Sequence, residues 1–420
     1  MAFPTEAIRD LGLFVVDYPL TMAGVWMALA LVFVLRKERK ERWWRHPPTP
    51  LATPPVSVLI PCFNEGPNLA ETLRHALAID WPHWEVIAIN DGSGDDTGAQ
   101  LDAWSAVDRR LRVVHLASNQ GKAMALRTGA LLARHELLVC IDGDALLDPD
   151  AVAWLVRRLL QDSRLGAVTG NPRIRNRTTL LGRVQVGEFS SIIGLIKRAQ
   201  STLGGLFTVS GVIAAFRRQA LHDVGYWNVA MLTEDIAITW ALQRGGWRVA
   251  YEPHALVWIL MPETLSGLWK QRLRWAEGGV QVLLANLDLL LRPGQWRLLP
   301  FLLEPLLSLI WAHAMVLVLL IWVLALMVPG PWSGDVSMPL LPRAGGAWLA
   351  LVCLLQFCLS LWLDRPYDRD LGRNVYWMIW YPLVFWMLTL ATSVVALPRV
   401  LGRGSGQRAR WVSPDRGQRV

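Results

Sequence analysis

Two aspartates stand one residue apart at the end of an apolar stretch, in Cys140-Ile-Asp-Gly-Asp144. Gly143 lets the backbone bend between them, so the Asp142 and Asp144 carboxylates can reach one ion. Hard oxygen ligands at this spacing suit Mg²⁺ or Mn²⁺ held against a diphosphate. Such an ion would neutralise the charge that builds on a departing diphosphate. We therefore predict a metal site at Asp142 and Asp144, although paired aspartates also occur by chance.

A third acidic segment, Leu232-Thr-Glu-Asp-Ile236, precedes the helix-like stretch 237–242. Asp235 is predicted to be a general base that takes the proton from an attacking hydroxyl, with inversion at the carbon attacked. Glu234 is the second candidate for that role. The alternative is a simple helix cap, because Asp is common at helix starts.

Two further polar groups follow apolar runs. Asn64 ends the segment Val56-Ser-Val-Leu-Ile-Pro-Cys-Phe-Asn-Glu65, and Asp91 follows the run that begins at Ile87. At strand ends these side chains would be placed to read a nucleotide base and ribose. Asx-type turn caps are the competing interpretation for both residues.

The segment Gln271-Arg-Leu-Arg-Trp275 lies in an amphipathic stretch. The Arg274 guanidinium is a planar fork suited to phosphate, and the Trp275 indole offers a flat face to a sugar ring. Gln271 lies in the same region. A membrane-surface helix with an interfacial Trp would give the same pattern.

The elements that carry these residues alternate between short apolar runs and helical segments. The expected strands are 56–60, 85–90, 112–116, 136–141 and 166–169, with intervening helices such as 68–78 and 122–134. This alternation predicts an α/β fold, with a mostly parallel sheet and helices on both faces. Such sheets bind nucleotides at the carboxyl ends of their strands.

Composition indicates a membrane protein. Hydrophobic residues make up 53% of the 420 residues and charged ones 18%, with the apolar residues in long blocks. The run from Leu11 to Leu35 is followed by a basic cluster, which predicts an anchor with the next domain in the cytoplasm. The net charge of +8 is accounted for by Lys and Arg beside the apolar blocks, so we predict no nucleic-acid partner.

Three more apolar blocks follow, at 305–328, 347–363 and 375–397. Three full crossings would leave the Arg-rich tail outside, against the positive-inside rule, so the number of spans stays open. Pro382 is one point at which the last block could divide. The predicted units are an anchor at 1–36, a basic Pro-rich linker at 37–55, an α/β domain at 56–262, interfacial helices at 263–296, transmembrane segments at 297–398 and a basic tail at 399–420.

Taken in their order along the chain, the aspartate motifs and the Gln271 to Trp275 segment resemble those of family 2 glycosyltransferases that make and export polysaccharides. The catalytic domain of that family has the GT-A fold. More narrowly, several segments resemble bacterial synthases of poly-β-1,6-N-acetyl-D-glucosamine. They include Asn90-Asp-Gly-Ser93, Asn119-Gln-Gly-Lys122, Gly170-Asn-Pro-Arg-Ile-Arg175, Val209-Ser-Gly-Val-Ile-Ala-Ala-Phe-Arg-Arg218, Trp269-Lys-Gln-Arg-Leu-Arg-Trp275 and Arg408-Ala-Arg-Trp-Val-Ser-Pro-Asp-Arg-Gly417. Gly94 stands where Thr is common and Glu277 where Gln is familiar, and the amino end has room for one span where many relatives have two.

The resemblance implies a processive, inverting hexosyltransferase that polymerises N-acetylglucosamine from UDP-N-acetylglucosamine for a biofilm matrix. It further implies a multi-pass protein of the bacterial inner membrane that exports its growing chain. A small membrane partner subunit and activation by cyclic di-GMP are also implied, although no PilZ-like Arg motif is evident.

The resemblance also assigns roles to residues. Asp91 would contact the uridine, Asp142 and Asp144 the diphosphate and metal, and Asp235 would be the base. Gln271, Arg274 and Trp275 would serve the acceptor and diphosphate end. Further candidates are Lys122 for the phosphates and Ser210 and Gly211 for the acceptor loop.

Two alternatives remain open at this point. The same machinery could make a chitin-, hyaluronan- or cellulose-like polymer, because linkage depends on which acceptor hydroxyl meets Asp235. In the second alternative, the chain is a membrane scaffold or transporter that binds nucleotide without catalysis. A scaffold, however, has no need for all four acidic and aromatic motifs together.

Overall fold

A computed structural model describes residues 5–44, 46–48, 52–328, 344–374, 376 and 381–403. Part of the predicted Pro-rich linker and residues 404–420 of the basic tail lie outside the described residues. The tail segment Arg408–Gly417 therefore stays a sequence-based resemblance.

The centre of the fold is a mixed sheet with strand order β3-β2-β1-β4-β7-β6-β8-β5. Neighbours β3, β2, β1 and β4 are parallel, as are β6 and β8, whereas β7 and β5 run antiparallel to their neighbours. The strands are β1 (Val56–Cys62), β2 (Trp84–Asn90), β3 (Leu111–His115), β4 (Leu137–Ile141), β5 (Leu146–Leu147), β6 (Leu165–Ile174), β7 (Ile213–Arg217) and β8 (Arg248–Ile259). The predicted mostly parallel sheet is confirmed.

Helices cover both faces of this sheet, also as predicted. In β1, Val58 and Ile60 pack in one core with α2 and α5, whereas Leu59 packs on the opposite face with α4, α8 and α9. The strand is buried along its whole length because both faces are covered. The helices of this region are α2 (Gly66–Leu77), α3 (Thr97–Val107), α4 (Lys122–Leu132), α5 (Ala151–Gln161), α6 (Leu180–Phe189), α7 (Lys197–Thr202), α8 (Arg218–Asp223) and α9 (Glu234–Arg244).

The remaining helices flank the sheet domain in sequence. They are α1 (Thr5–Phe33), α10 (Leu265–Ala285), α11 (Leu299–Met327), α12 (Ala344–Asp364) and α13 (Tyr381–Leu401). Among the described residues, three helical stretches are long and apolar enough to cross a membrane: Glu6–Glu38, Pro293–Met327 and Gly346–Asp364. The chain is thus built as a membrane protein with its sheet domain between apolar helices.

The last apolar block is described only in part, as α13 (Tyr381–Leu401). Residues 375 and 377–380 lie outside the described residues, so the predicted division of this block at Pro382 stays a prediction. At the other end, Arg399 forms an ion pair with Glu277 of α10 at 3.2 Å. The end of α13 therefore lies on the side of the sheet domain, which agrees with the charge of the tail that follows.

Buried ion pairs fix two membrane helices to the sheet domain. Arg198, which is fully buried, donates to Glu38 at 2.7 Å and to Asp364 at 2.8 Å. Asp364 also accepts from Arg173 at 2.6 Å. Because removing one partner would leave a buried charge uncompensated, this network holds the ends of α1 and α12 firmly against the domain.

Candidate active site

Lys122 connects the paired aspartates with the start of α9. Its ammonium lies 2.6 Å from Asp142 Oδ1 and 2.8 Å from Glu234 Oε1, and it donates to the Gly211 carbonyl at 3.1 Å. Lys122 is the first residue of α4, whereas Asp142 follows β4 and Glu234 opens α9. Five predicted residues, Lys122, Asp142, Gly211, Glu234 and Asp235, thus form one group, which we call the central cluster.

Asp235 is held by backbone amides at the edge of the central cluster. Its Oδ2 accepts from the Gly211 N–H at 3.2 Å and its Oδ1 from the Ile236 N–H at 2.9 Å. A Cβ on Gly211 would lie 3.0 Å from Asp235 Oδ2 and 3.2 Å from Lys122 Nζ. A Cβ at this position would be closer to both side chains than ordinary van der Waals contact, so glycine allows the loop to approach them without displacing either.

The charges of the central cluster are unevenly compensated. Burial disfavours the charged ammonium, but Asp142 and Glu234 outweigh that effect and raise the pKa of Lys122 above its ordinary value. Burial acts to raise the pKa of Glu234, but Lys122 lowers it below the usual range. Burial raises the pKa of Asp142 despite Lys122, with Asp144 adding to the effect.

The negative charge of Asp235 is less well compensated by nearby positive charge than that of Glu234. Burial, followed by the neighbouring charge of Glu234, raises the pKa of Asp235 to about 6, although Lys122 acts in the opposite direction. A carboxyl group with that pKa is ionised at neutral pH and still basic enough to accept a proton. The raised pKa suits Asp235 to accept a proton, and its role as the base stays a prediction.

Asp91 lies at the end of β2 and is fully buried. Its carboxylate accepts from the Gln120 N–H at 2.8 Å and the Gly121 N–H at 2.9 Å. Gly121 has φ +90°, a backbone conformation that favours glycine, and it immediately precedes Lys122. Asp91 therefore positions the turn that starts α4, and its contact with a uridine stays a prediction.

Asn64 joins the loops that follow β1 and β2. Its Oδ1 accepts from the Gly94 N–H at 2.9 Å, and its own N–H donates to Ser93 Oγ at 3.0 Å. Asn64 has φ 55°, a left-handed conformation that Asn tolerates better than most residues. These hydrogen bonds join two loops that are far apart in the sequence and are not those of an Asx-type turn cap, and a role of Asn64 in donor binding stays a prediction.

The loop with the paired aspartates is pressed against the end of β1. A Cβ on Gly143 would lie 2.9 Å from Glu65 Cγ and 3.1 Å from the Pro61 carbonyl oxygen, so this position requires glycine. Sequence reasoning gave no role to Glu65, which is fully buried here. Its position shortly after the predicted strand 56–60 is the sequence feature that could have pointed to this residue.

Asp142 and Asp144 are the carboxylates predicted to hold a divalent ion. Both offer hard oxygen donors, the kind that Mg²⁺ and Mn²⁺ prefer; Asp144 is 8% exposed, and Asp142 Oδ1 lies 2.6 Å from the Lys122 ammonium. Over the described part of the chain, no group of three or more His, Cys, Asp or Glu could enclose a metal. Because Mg²⁺ and Mn²⁺ can be bound through one or two carboxylates together with substrate phosphates, a metal at these two aspartates stays a prediction.

Helix α10 is fixed to the loop that precedes Glu234. Gln281 accepts from the Leu232 N–H at 3.0 Å and donates to the Ala230 carbonyl at 3.1 Å. The surface of α10 at Gly278 touches Thr233 and leaves no room for a Cβ. These contacts hold the Gln271 to Trp275 segment at a set distance from the central cluster.

The three predicted residues of that segment differ in exposure. Arg274 is exposed, and its positive charge acts to lower the pKa values of Glu234 and Asp235. Burial acts to raise both pKa values and has the larger effect. Gln271 and Trp275 are half-buried. Arg272, which sequence reasoning did not single out, lies over the Trp275 ring at 4.2 Å and pairs with Glu188 at 3.0 Å. The Arg272 guanidinium thus fixes the orientation of the indole.

Ser210 contributes through its backbone. Its N–H donates to Thr169 Oγ1 at 2.7 Å, which anchors the loop that carries Gly211 to β6. The Ser210 residue is 9% exposed. Its predicted contact with an acceptor stays a prediction, whereas its effect on the position of Gly211 follows from this hydrogen bond.

Comparison with known proteins agrees with this arrangement. Residues 54–278 match the model of the family described as glycosyltransferase like family 2. A poly-β-1,6-N-acetyl-D-glucosamine synthase of Staphylococcus aureus (strain COL) is 36% identical over 405 residues, 96% of this chain and 98% of that protein. The enzyme of the same name from Staphylococcus epidermidis is 35% identical over the same shares.

A solved structure has a similar fold. The mannosyltransferase PcManGT from Pyrobaculum calidifontis, in complex with GDP-Man and Mn²⁺, aligns with a TM-score of 0.57 at 22% identity. The alignment covers 93% of this chain and 99% of that one. It supports the predicted GT-A-type fold flanked by apolar helices.

Proposed function

This chain belongs to the family 2 glycosyltransferases, and from that premise we propose that it polymerises N-acetylglucosamine from UDP-N-acetylglucosamine into a β-1,6-linked chain. Hexosyl transfer follows from the family. The choice of sugar and linkage is supported by the 36% identity with a synthase of that polymer across nearly the whole chain. The observation that carries the mechanism is the meeting of Lys122, Asp142, Gly211, Glu234 and Asp235 at one end of the sheet.

In this proposal Asp235 accepts the proton of the acceptor hydroxyl as its oxygen attacks the anomeric carbon. The bond to the UDP oxygen breaks as the new glycosidic bond forms, so the configuration inverts and the diphosphate leaves. Lys122 holds Asp142 and Glu234 in place and keeps Glu234 ionised. Gly211 orients the Asp235 carboxylate through its N–H.

The pH dependence of synthesis tests the role of Asp235. Because its pKa is raised to about 6, the fraction able to accept a proton increases as pH rises through that value. We expect the initial rate of UDP release to increase roughly tenfold per pH unit below the midpoint and to level off above pH 7. A rate that is constant from pH 5 to pH 7 would contradict this role.

Asp142 and Asp144 are proposed to hold Mg²⁺ or Mn²⁺ with the donor diphosphate. When bound, the ion supplies positive charge to the leaving group. We expect polymer synthesis to stop in EDTA and to return when Mg²⁺ or Mn²⁺ is added in excess. Full synthesis in the chelator would remove both aspartates from this role.

The polymer is proposed to leave through the membrane helices beside α10. A cavity of about 350 Å³ lies among α1, α10, α11, α12 and α13 and extends to Ala276 and Gly279, just after the Trp275 motif. Polar groups at Tyr18, Glu304 and Gln356 line it among apolar residues. Such a lining suits a hydroxyl-rich chain that must cross an apolar region.

The setting proposed for this reaction is the bacterial inner membrane, with the sheet domain in the cytoplasm. The basic residues after α1 and the position of Arg399 beside α10 both support that orientation. The proposal also includes three features that the family resemblance implies for this protein: a small membrane partner subunit, activation by cyclic di-GMP and a role in making a biofilm matrix.

The donor can be tested with the full-length protein in lipid. We expect polymer from radiolabelled UDP-N-acetylglucosamine and background incorporation from UDP-glucose or UDP-glucuronate. Incorporation from UDP-glucose alone would contradict the proposed substrate while leaving glycosyl transfer intact.

A further inference from the structure

A second cavity, of about 520 Å³, lies where the sheet domain meets the ends of two membrane helices. Lys37 enters it from the turn that ends the first span, and Arg297 from the turn before α11. Arg158 of α5 and Arg248 of β8 close it from the domain side. We call this the boundary cavity.

The boundary cavity has an excess of positive charge. Among the described residues that line it, four are cationic and one, Asp162, is a carboxylate. Asp162 is already engaged, since it accepts from Arg164 at 3.0 Å and lies 3.4 Å from Arg248. Within the described part of the chain, no carboxylate pairs with Lys37 or Arg297. Among the described residues, Lys37 and Arg297 thus lack a carboxylate counterion, whereas Arg248 shares Asp162 with Arg164.

Most of the remaining lining is apolar, and part of it lies towards the membrane helices. Phe33 of α1, Leu298, and Pro300 and Phe301 of α11 form this part. Trp296 stands at the edge and is 69% exposed, in the manner of an aromatic residue at a membrane interface. A ligand that fits here carries negative charge at one end and apolar groups at the other.

This cavity is distinct from the catalytic centre. Helix α9 begins with Glu234 and Asp235 in the central cluster and ends near Gln243, which lines the boundary cavity. Its 11 residues span about 16 Å at the rise of an α-helix. The same rigid helix therefore joins the two sites without their sharing a side chain.

We propose that the boundary cavity binds the phosphate headgroup of an anionic phospholipid. Two of the four cations, Lys37 and Arg297, come from the chain segments that leave the membrane helices, where lipid headgroups would lie, and basic pockets of this kind attract acidic lipids. Its apolar side faces the helices along which acyl chains pack. A soluble phosphate compound would use the cations but not that apolar side, so the lining favours the lipid.

Native mass spectrometry of the full-length protein in detergent tests this proposal with phosphatidylglycerol as the probe. We expect the double variant Lys37→Gln/Arg297→Gln to bind the lipid about 30-fold more weakly than the unchanged protein, from about 1 kcal/mol for each lost charge. Lys40→Gln is the matched control, because Lys40 is exposed, follows Lys37 on the same segment and does not line the cavity.

The outcomes separate the lipid from other sources of phosphate. Retention by the unchanged protein and by Lys40→Gln, with loss in the double variant, supports the proposal. Equal retention in all three proteins overturns it, as does displacement of the lipid by millimolar inorganic pyrophosphate. Equal binding of phosphatidylcholine by the unchanged protein would also overturn it, since that lipid carries no net charge. None of these results depends on the polymer that the catalytic centre makes.

Discussion

The variant Asp235→Asn is expected to lower the rate of polymer synthesis by about 10²- to 10⁴-fold, the range that loss of a general base usually costs. An amide of the same shape keeps one oxygen, which can still accept from either the Gly211 or the Ile236 N–H group that holds Asp235. It cannot take a proton from the acceptor hydroxyl. The fold should persist, because the substitution removes a buried charge rather than a packed side chain. Initial rates of UDP release from UDP-N-acetylglucosamine measure the effect.

The matched control for this variant is Asp102→Asn. Asp102 lies on α3, where its carboxylate pairs with His115 at 3.0 Å and its side chain is 64% exposed. We expect its rate to stay close to that of the unchanged protein. If Asp235→Asn synthesises polymer as fast as the control, Asp235 is not the base, and Glu234 becomes the candidate to test next.

The variant Lys122→Met should have the second large effect. Without the ammonium, the carboxylates of Asp142 and Glu234 are left buried and close together with no cation from the protein. Breaking a buried ion pair in this way costs roughly 3–5 kcal/mol of stability. Synthesis should fall by roughly 10²- to 10³-fold, the usual cost of removing one positioned charge-stabilising group.

The pH profile separates this electrostatic role from general unfolding. Lys122 acts to lower the pKa of Asp235, so its removal should move the midpoint of the pH–rate profile above 6. Thermal unfolding of the same preparation reports the folded fraction, and Lys40→Met is the control for loss of one lysine. An unchanged rate with an unchanged midpoint would contradict the assignment of Lys122 to the central cluster.

Sequence reasoning reached the sheet through periodicity, but it missed strands that do not fit the β-α alternation. β7 (Ile213–Arg217) lies between β4 and β6 and runs antiparallel to both. Its pairing is set by partners far along the chain, which local patterns do not encode. Asp91 and Asp142 could be predicted because each follows an apolar run, and parallel strands place their carboxyl ends at one edge of the sheet. Asp235 could be predicted because it precedes a helical pattern.

The partners of each site residue were beyond the reach of sequence reasoning. Lys122 was proposed for the substrate phosphates, yet its ammonium contacts two carboxylates of the protein. Asp91 was expected near the uridine, yet its carboxylate accepts two backbone N–H groups. Arg272 lies between two predicted site residues, Gln271 and Arg274, and its contacts with the Trp275 ring and with Glu188 distinguish it. These are matters of side-chain direction, which the order of residues does not set.

The linkage of the product tests the central claim most directly. Full-length protein in lipid is given radiolabelled UDP-N-acetylglucosamine, and the purified polymer is treated with a β-1,6-specific hexosaminidase or, in parallel, with a chitinase. We predict that the hexosaminidase releases the label and that the chitinase leaves it in the polymer. A product that resists the hexosaminidase and is degraded by the chitinase would contradict the proposed β-1,6 linkage.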